Sequence, residues 1–414
     1  MKIDYRNNRA AGSNGAERGE ERGARLATSL SGTNLARAGD YNQRIVLQAV
    51  RISEHITRAE IVEQTGLTVP TIANITKRLL DRGLILNAGK RVGGRGQPAL
   101  RFAINPDGCF GIGVNIDRDH VSVVALDLAG NVRARETREI AFPMPDQVVA
   151  HVREVVDAIL ASGAIDADRV LGIGVALPDG LGSVALPHRP EGYELWNEVD
   201  VVALFAAVMP WPVYCDNDAA AAAIGEAQFG AGLLHSSFFY LLLTAGLGGG
   251  LVIDGGYYRG ATGRSGEIGF LPSSGGHMLQ DSVSLSALYA MLEADGLSIA
   301  SPAELEQPTA PVATVIDRWI DRAATDLVAP LTAVNCLVNP EAVLIGGRLP
   351  ADLIERLAVA VNERLAAEGA GLPSLAPVIR ADLAADAPAV GAAILPFNDA
   401  VFPSDNILMK VGHD

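Results

Sequence analysis

Apolar residues in the first quarter of the chain recur at helical spacing. One face of a first helix is predicted to carry Ile45, Val46, Ala49, Val50 and Ile52. A second, short helix is predicted at residues 58–65 and a third at 66–85. Gly66 stands between them, where a tight turn needs a residue that tolerates a left-handed backbone. Two helices joined by a short glycine-containing turn are typical of a helix-turn-helix.

The third helix is predicted to have one buried and one exposed face. Thr68 suits its N-cap and Pro70 lies in its first turn. Its apolar face consists of Ile72, Ile75, Leu79 and Leu80. The exposed face then carries Val69, Thr71, Asn74 and Lys77, which we expect to reach base edges and phosphates in a DNA major groove.

Residues 84–105 are predicted to form two short strands around a loop rich in glycine and arginine, which is a wing. Lys90 and Arg91 lie in this loop, and Arg95 and Gln97 are expected to enter the minor groove beside it. A small helical adaptor domain that touches no DNA is the alternative. The wing and its charge favour DNA binding.

The charge of the chain divides at the end of this segment. The 414 residues together carry a net charge of −15, which taken whole argues against nucleic-acid binding. Residues 1–105 carry 17 lysines and arginines against 9 acidic residues, a balance of +8. Residues 106–414 carry 16 against 39, a balance of −23. Opposite signs on one chain predict two different partners.

The pattern after about residue 106 is that of an α/β protein. Three strands joined by tight turns open it, alternating helices and strands follow, and a second β-rich stretch begins near residue 238. This order predicts two α/β lobes of related design. We assign residues 1–40 to a flexible basic tail, 41–105 to a winged helix-turn-helix domain and 106–414 to a two-lobed domain, with lobe 1 at about 106–217 plus the C-terminal helix and lobe 2 at about 218–387.

Three segments of the two-lobed domain can carry chemistry. Asp216, Asn217 and Asp218 end a predicted strand where a helix begins, a place suited to ligand binding. Asp218 can act as a base on a hydroxyl or accept its hydrogen bond, and the alternative is a helix N-cap. The glycine-rich run 243–256 can cradle a phosphate or form a hairpin turn between apolar strands. Glu267 lies on a third, glycine-rich loop.

Taken in order, the segments resemble the ROK family of repressors and sugar kinases, in the branch with an N-terminal winged helix. The resemblance covers roughly residues 32–400 and includes GLTVPTIANITKRLLDRGLI, GGRGQPA, GIGVALPDG, CDNDAAAAAIGE, GRSGEIGF and NPEAVLIGG. It implies an actin-like, hexokinase-type fold with a sugar bound between the lobes. Asn217, Asp218 and Glu267 match family sugar-contacting positions, and Gln280 stands where a glutamate is usual.

The chain departs from the family's kinases at the phosphate side of the site. Asn115 replaces the aspartate of the first phosphate loop, and Thr244–Ala245–Gly246 replaces Gly-Thr-Gly in the second. Phosphoryl transfer depends on positioning and neutralising phosphate charge. We therefore expect kinase activity to be lost, with no catalytic residue, although Asp218 matches the family's base position.

The family's zinc site is also expected to be absent. Phe270 replaces its histidine, Met278 stands where the last cysteine would fall, and the loop between them has no cysteine. His277 by itself cannot hold structural zinc. The prediction is therefore of no metal and no cofactor.

Other changes around the sugar predict an altered specificity. Gly192 replaces an asparagine that the family places four residues before Trp196, and Tyr193 or Trp196 either stacks on a sugar ring or belongs to the core. The sequence thus predicts a transcriptional repressor of carbohydrate genes. Its expected partners are operator DNA and a carbohydrate effector, with no membrane.

A homodimer or tetramer is expected, because such repressors read two half-sites. The N-terminus has no apolar segment of a secretory signal and apolar runs are of strand length, so a cytoplasmic protein is expected. A ROK-type sugar kinase is the alternative, and a regulator that answers to a protein partner through a disused sugar site is a third possibility.

Overall fold

A computed structural model of the chain describes residues 35–90, 99–183, 189–273, 275–368, 371–372 and 374–403. They belong to two compact units. One unit holds residues up to Leu80, Asn87–Ala103 and the residues from Val401 onward. The other holds Asp81–Leu86 and Ile104–Ala400. No helix among the described residues is both long and apolar enough to cross a membrane.

The described part of the first unit begins with helix α1 (Leu35–Arg51), which buries Val46, Leu47, Ala49 and Val50. The helix begins six residues before the predicted domain, and an ion pair of 3.0 Å between Asp40 and Arg44 spans the turn at the predicted boundary. Ile52, predicted on the buried face, follows the helix end and is exposed.

Helices α2 (Arg58–Thr65) and α3 (Val69–Asp81) form the helix-turn-helix. Thr57 and Glu60 cap α2 reciprocally in a capping box, and Gly66 ends it with φ of 69°, as its predicted turn requires. Helix α3 is shorter than predicted at its C-terminal end. Gly83 has φ of 70°, which ends helical structure before Ile85.

A three-stranded sheet completes the winged motif. Strands β1 (Ile56–Thr57), β2 (Ile85–Lys90) and β3 (Leu100–Ile104) lie in the order β1-β3-β2. Phe102 of β3 is buried, and the guanidinium of Arg58 lies 5.3 Å from the centre of its ring. The predicted wing residues Arg91, Arg95 and Gln97 fall outside the described residues.

The second unit contains two five-stranded sheets of identical topology. Each begins with an antiparallel three-stranded meander and adds two parallel strands on the other side, giving the orders β6-β5-β4-β7-β8 and β11-β10-β9-β12-β13. The strands of the first sheet are β4 (Phe110–Ile116), β5 (His120–Asp127), β6 (Val132–Glu139), β7 (Val170–Leu177) and β8 (Val213–Asn217). Those of the second are β9 (Phe238–Leu243), β10 (Leu247–Ile253), β11 (Gly256–Tyr257), β12 (Ala342–Gly347) and β13 (Val378–Arg380). Two lobes of related design, as the sequence predicts, follow from this repetition.

Seven α-helices among the described residues cover these sheets: α4 (Pro145–Ala161), α5 (Val201–Ala206), α6 (Asp218–Phe229), α7 (Leu285–Ala294), α8 (Ala310–Leu337), α9 (Ala351–Glu368) and α10 (Ala387–Ala400). Helix α10 packs unusually close to its neighbours. A Cβ atom on Gly391 would lie 1.7 Å from the carbonyl oxygen of Ala221 in α6. Because glycine has no side chain, α6 and α10 can approach each other this closely at Gly391.

Replacing Gly391 with alanine is expected to destabilise the two-lobed unit by about 2 kcal/mol or more, since backbone atoms must move to admit the methyl group. Gly371→Ala is the control in the same unit, because nothing lies within 4 Å of its Cβ position. Urea denaturation of both variants measures the difference. Equal stabilities of the two variants would contradict the packing argument.

Candidate functional site

Three parallel strands of lobe 1 end at one edge of their sheet, and a carboxylate follows each of them. Asp117 follows β4, Asp179 follows β7 after one proline, and Asp218 follows β8. The ladders align these ends, since β4 pairs Asn115 with Ala176 of β7 and β7 pairs Leu177 with Asn217 of β8. The three carboxylates therefore lie along the same edge, in the position that favours ligand binding.

Asn217 and Asp218 take different roles at the start of α6. Asn217 is the N-cap, and its Oδ1 accepts hydrogen bonds from the backbone N–H groups of Ala219 and Ala220 at 2.9 and 3.1 Å. Asp218 is the first helical residue, is 7% exposed, and accepts from Ala219 N–H at 2.8 Å. The capping role that the sequence left open for this segment thus falls to Asn217.

Asp218 has a strongly perturbed carboxyl group. Burial raises its pKa to about 7, the negative charges of Asp117 and Asp179 add to the rise, and the Ala219 N–H and Arg118 oppose it. Both the protonated and the ionised form of the carboxyl group are therefore accessible around neutral pH. The group can donate a hydrogen bond to a ligand oxygen or accept one from a ligand hydroxyl.

The turn between β4 and β5 brings a buried charge pair to the same place. Asp117 is 1% exposed, and its Oδ1 accepts from Arg118 N–H at 2.7 Å and lies 3.5 Å from Arg118 Nη1. The other oxygen of Asp117 and the Nε of Arg118 are buried and have no hydrogen-bond partner within the described part of the chain. Arg118 Nη1 would lie 3.5 Å from a Cβ on Gly246, so the guanidinium reaches the turn between β9 and β10.

The same turn connects the two lobes. Arg348, which follows β12, donates a hydrogen bond of 2.7 Å to Asp119 and a second one to Glu139 of β6. Asp119 Oδ1 also lies 2.7 Å from His120 Nδ1. Burial opposes ionisation of Asp119, but His120 and Arg348 together lower its pKa. An ionised Asp119 therefore links lobe 1 to lobe 2.

Asn115 is held by this turn as well. Its Nδ2 lies 3.1 Å from His120 Nε2, on the same side of β4 as Asp117. Among the described residues, Asp117, Asp119 and His120 form the one group of three or more His, Cys, Asp or Glu side chains whose potential metal-ligand atoms all lie within 4.8 Å of one another. Asp119 already forms an ion pair with Arg348, whose positive charge opposes the binding of a metal ion there.

Lobe 2 contributes Glu267 and Gln280. Glu267 precedes a single 3-10 turn (Ile268–Phe270) and is half-buried. Burial raises its pKa, as do the charge of Asp179 and a hydrogen bond between the two carboxyl groups, while Arg264 opposes the rise. Gln280 is also half-buried, and its Oε1 would lie 3.8 Å from a Cβ on Gly246. The structure therefore brings Glu267 close to Asp179 and Gln280 close to the turn that Arg118 reaches.

The residues at the expected zinc positions have other surroundings. Phe270 is 61% exposed and Met278 is 45% exposed. His277 Nε2 lies 3.1 Å from Arg322 Nη2. Tyr193 and Trp196, for which the sequence left stacking on a sugar or core packing open, are buried in the core of lobe 1. Trp196 Nε1 donates a hydrogen bond to Pro143 O at 2.9 Å.

The glycine-rich run 243–256 is a hairpin for most of its length. Gly248, Gly249 and Gly250 belong to β10, where a Cβ would lie 2.8 Å from Ala219 Cβ, 2.3 Å from Gly266 O and 2.6 Å from Ala223 Cβ, respectively. These glycines allow α6 and the Glu267 segment to approach the strand. The turn itself consists of residues 244–246, and Thr244 N–H donates to Gly246 O at 3.1 Å.

The predicted DNA-contacting side chains of α3 share one surface. Val69 is 64% exposed, Asn74 and Lys77 are exposed, and Thr71 is half-buried with its Oγ1 2.9 Å from that of Thr68. The opposite face, with Ile72, Ile75 and Leu79, is buried. The whole surface is basic or neutral because α3 carries its only acidic residue, Asp81, at its last position.

Sequence reasoning missed Asp117, Asp179 and Arg348. The signal used for Asp218, a carboxylate directly after a buried strand, also applies to Asp117 and, after one proline, to Asp179. That these three carboxylates share one sheet edge depends on the order of the strands, which the sequence does not give. Arg348 is separated from Asp119 by 229 residues, and no local pattern indicates the pair.

Comparison with known proteins places the chain in a family. The model of the ROK family matches residues 111–398. The uncharacterized protein y4fQ of Sinorhizobium fredii (strain NBRC 101917 / NGR234) is 32% identical over 87% of this chain and 92% of that protein. A xylose repressor of Bacillus spizizenii (strain ATCC 23059 / NRRL B-14472 / W23) is 24% identical over 56% of this chain and 60% of its own length.

A solved structure supports the fold. The crystal structure of a ROK family transcriptional regulator, a homolog of E. coli MLC protein, is 20% identical and has a TM-score of 0.64, covering 88% of this chain and 98% of that one. At this identity the likeness establishes the fold alone. The predicted class, a winged helix-turn-helix followed by a two-lobed actin-like domain, is confirmed.

Asp218→Asn is expected to stabilise the unliganded protein at pH 8. A raised pKa means that folding takes up a proton between the ordinary pKa of 3.8 and about 7, so unfolding costs less free energy as pH rises through that window. The amide has no charge to bury. The gain should reach about 2–4 kcal/mol at pH 8 and shrink as the pH falls towards 4.

Urea denaturation at pH 5, 7 and 8 checks this expectation. Asp254→Asn, at an exposed turn position, is the matched control and should show little change at any pH. If the Asp218→Asn variant is less stable than the parent protein at pH 8, the negative charge of the carboxylate must already be compensated within the unliganded protein.

Proposed function

The chain belongs to the ROK family, and from that premise we propose that it is a transcriptional repressor of carbohydrate metabolism or transport genes, controlled by a carbohydrate ligand. One observation carries the proposal: a separate compact unit presents α3 with an exposed polar face beside the sheet of a wing. The relatives include proteins named as xylose repressors.

DNA contact is assigned to α3 and the wing. Helix α3 is anchored by its apolar face, so Val69, Asn74 and Lys77 point away from the unit, and Thr71 lies between the two faces. Such a helix lies in the major groove with its N-terminal residues at base edges. The wing residues Arg91, Arg95 and Gln97 complete the proposed contact set.

The ligand site is assigned to Asn217, Asp218, Glu267 and Gln280. Carboxyl and amide oxygens accept hydrogen bonds from sugar hydroxyls, and Asp218, whose raised pKa of about 7 makes the protonated form accessible, can also donate one. A ligand that contacts Asn217, the last residue of β8 in lobe 1, and Glu267 in lobe 2 binds most tightly to one arrangement of the lobes. It thereby shifts the population of the DNA-binding arrangement.

A sugar kinase is the alternative, and the side chains on the phosphate side oppose it. Asn115 stands in place of a carboxylate, and its side chain contacts the ring of His120. Ala245 offers no hydroxyl to a phosphate. Arg118 extends into the turn at Gly246. A coupled ADP-release assay across a panel of sugars tests this alternative, and turnover near kinase rates of about 1–100 per second would establish it.

We further propose a cytoplasmic homodimer or tetramer. A single winged helix-turn-helix reads one half-site, and two copies related by a two-fold axis read both halves of an operator. Sedimentation with and without operator DNA tests the assembly.

Lys77→Ala is expected to weaken binding to all DNA sequences alike, because a lysine on this face neutralises a phosphate. The slope of log affinity against log salt should fall by about 1. Mobility-shift titrations of the full chain at several salt concentrations measure both quantities. The DNA is the region upstream of the gene that encodes the protein.

Arg318→Ala is the matched control for charge. Arg318 lies exposed on α8 in the two-lobed unit, paired with Asp295. The control should leave DNA affinity and salt slope unchanged. If Lys77→Ala and Arg318→Ala behave alike, α3 does not contact the DNA backbone and this part of the proposal fails.

A further inference from the structure

We propose that the carbohydrate effector carries a protonated amine, as an amino sugar does, and that Asp117, Asp179 and Asp218 form the subsite that binds it. The inference rests on the proposed function, since it names the ligand class for the same site.

The geometry comes from the strand order. Three neighbouring parallel strands deliver one carboxylate each to a single sheet edge, and the register places Asp117 and Asp218 level with Pro178, one residue before Asp179. The three residues are far apart in the sequence, so the row is a product of the fold. Its members differ in exposure: the side chain of Asp179 is 40% exposed, whereas Asp117 and Asp218 are buried. A ligand can therefore approach from the Asp179 end.

Nearby positive charge does not balance the row. Glu267 faces Asp179 from lobe 2 and makes a fourth carboxyl group, against the guanidiniums of Arg118 and Arg264 among the described residues. The Arg264 side chain is 63% exposed and lies 3.4 Å from Asp179, so solvent screens much of that pair. Arg259 is occupied by Asp216, which it binds through both terminal nitrogens.

This excess of negative charge favours proton binding at the site. Both Asp218 and Glu267 have raised pKa values, for which burial is the first cause and a neighbouring carboxylate the next. A ligand cation would supply the compensating charge instead of these protons. A phosphate or a carboxylate on the ligand would add to the repulsion.

A buried acceptor in the row also lacks a donor. Asp117 Oδ2 has no hydrogen-bond partner in the part of the chain that the structure describes, and neither has Asn115 Oδ1 on the same side of β4. An ammonium group has three donors and no acceptor. A neutral hydroxyl would satisfy the hydrogen bond but leave the charge, so the two observations together favour the amine.

Binding of matched sugar series to the full chain tests the inference. Glucose, glucosamine and N-acetylglucosamine form one series, and the galactose and mannose counterparts form two more, all measured by calorimetry at pH 6.5, where the amine is protonated. In at least one series the amino sugar should bind at least tenfold more tightly than the parent sugar and the N-acetyl form. The 6-phosphate of the parent should bind more weakly than the parent.

Asp179→Asn isolates the charge, since it keeps the shape and removes one carboxylate from the exposed end of the row. The preference for the amino sugar should fall to about threefold or less, because the amino sugar loses far more affinity than the parent sugar. Asp254→Asn, exposed between β10 and β11, should leave the preference intact. Because Asp179 is partly exposed, the variant is expected to fold, and its thermal unfolding checks that it does.

The outcomes separate this inference from the proposed function. If neutral or phosphorylated sugars bind best and release operator DNA, the amine subsite is wrong and the carbohydrate-controlled repressor stands. If amino sugars bind best but Asp179→Asn keeps the preference, the row is not the subsite. Stabilisation by Mg²⁺ or Ca²⁺ alone, with no amine preference, would also overturn it. If no sugar binds and none alters DNA affinity, the ligand control in the proposed function fails.

Discussion

Helices α6 and α10 approach each other at a point where neither has a side chain larger than a methyl group. The absent Cβ of Gly391 would lie 1.7 Å from Ala221 O, and those of Gly113 and Gly174 would lie 1.8 Å from carbonyl oxygens of α10. Helix α10 therefore rests directly on strands β4 and β7 and on α6. This packing sets the position of Asp218 relative to the ends of those strands. The same close packing explains why α6 is rich in alanine, since larger side chains would not fit between the two helices.

The electrostatics of the site follow from that placement. A helix that begins at the sheet edge brings Asp218 into a buried setting, where Asp117 and Asp179 already lie at the ends of neighbouring strands. Burial of several carboxylates with incomplete pairing is costly, and such groups respond by binding protons or ligands. These carboxylates are therefore less favourable for folding than the apolar side chains of the surrounding core.

The sequence predicted those parts of the structure that depend on local patterns. Helix α2 was predicted at 58–65 and found there, because a capping box at Thr57 and a glycine at position 66 mark its two ends. The bounds of α3 were less well predicted, since apolar spacing continues beyond Asp81 and only the backbone of Gly83 ends the helix. Two lobes could be predicted because each repeats the same order of strands. Asp179 and Arg348 could not, because their importance arises from strand neighbours and from a contact between lobes.

The turn from Asp117 to His120 has a consequence for how such a protein can change its ligand. Within four residues it contains a carboxylate at the binding edge, the guanidinium that reaches Gly246, and the carboxylate that holds Arg348 of the other lobe. A substitution that alters recognition here also alters the stiffness of the joint between the lobes. A substitution at Gln280, which lies in lobe 2 outside this turn, leaves the contacts of Arg348 with Asp119 and Glu139 in place, so a new specificity is less constrained there.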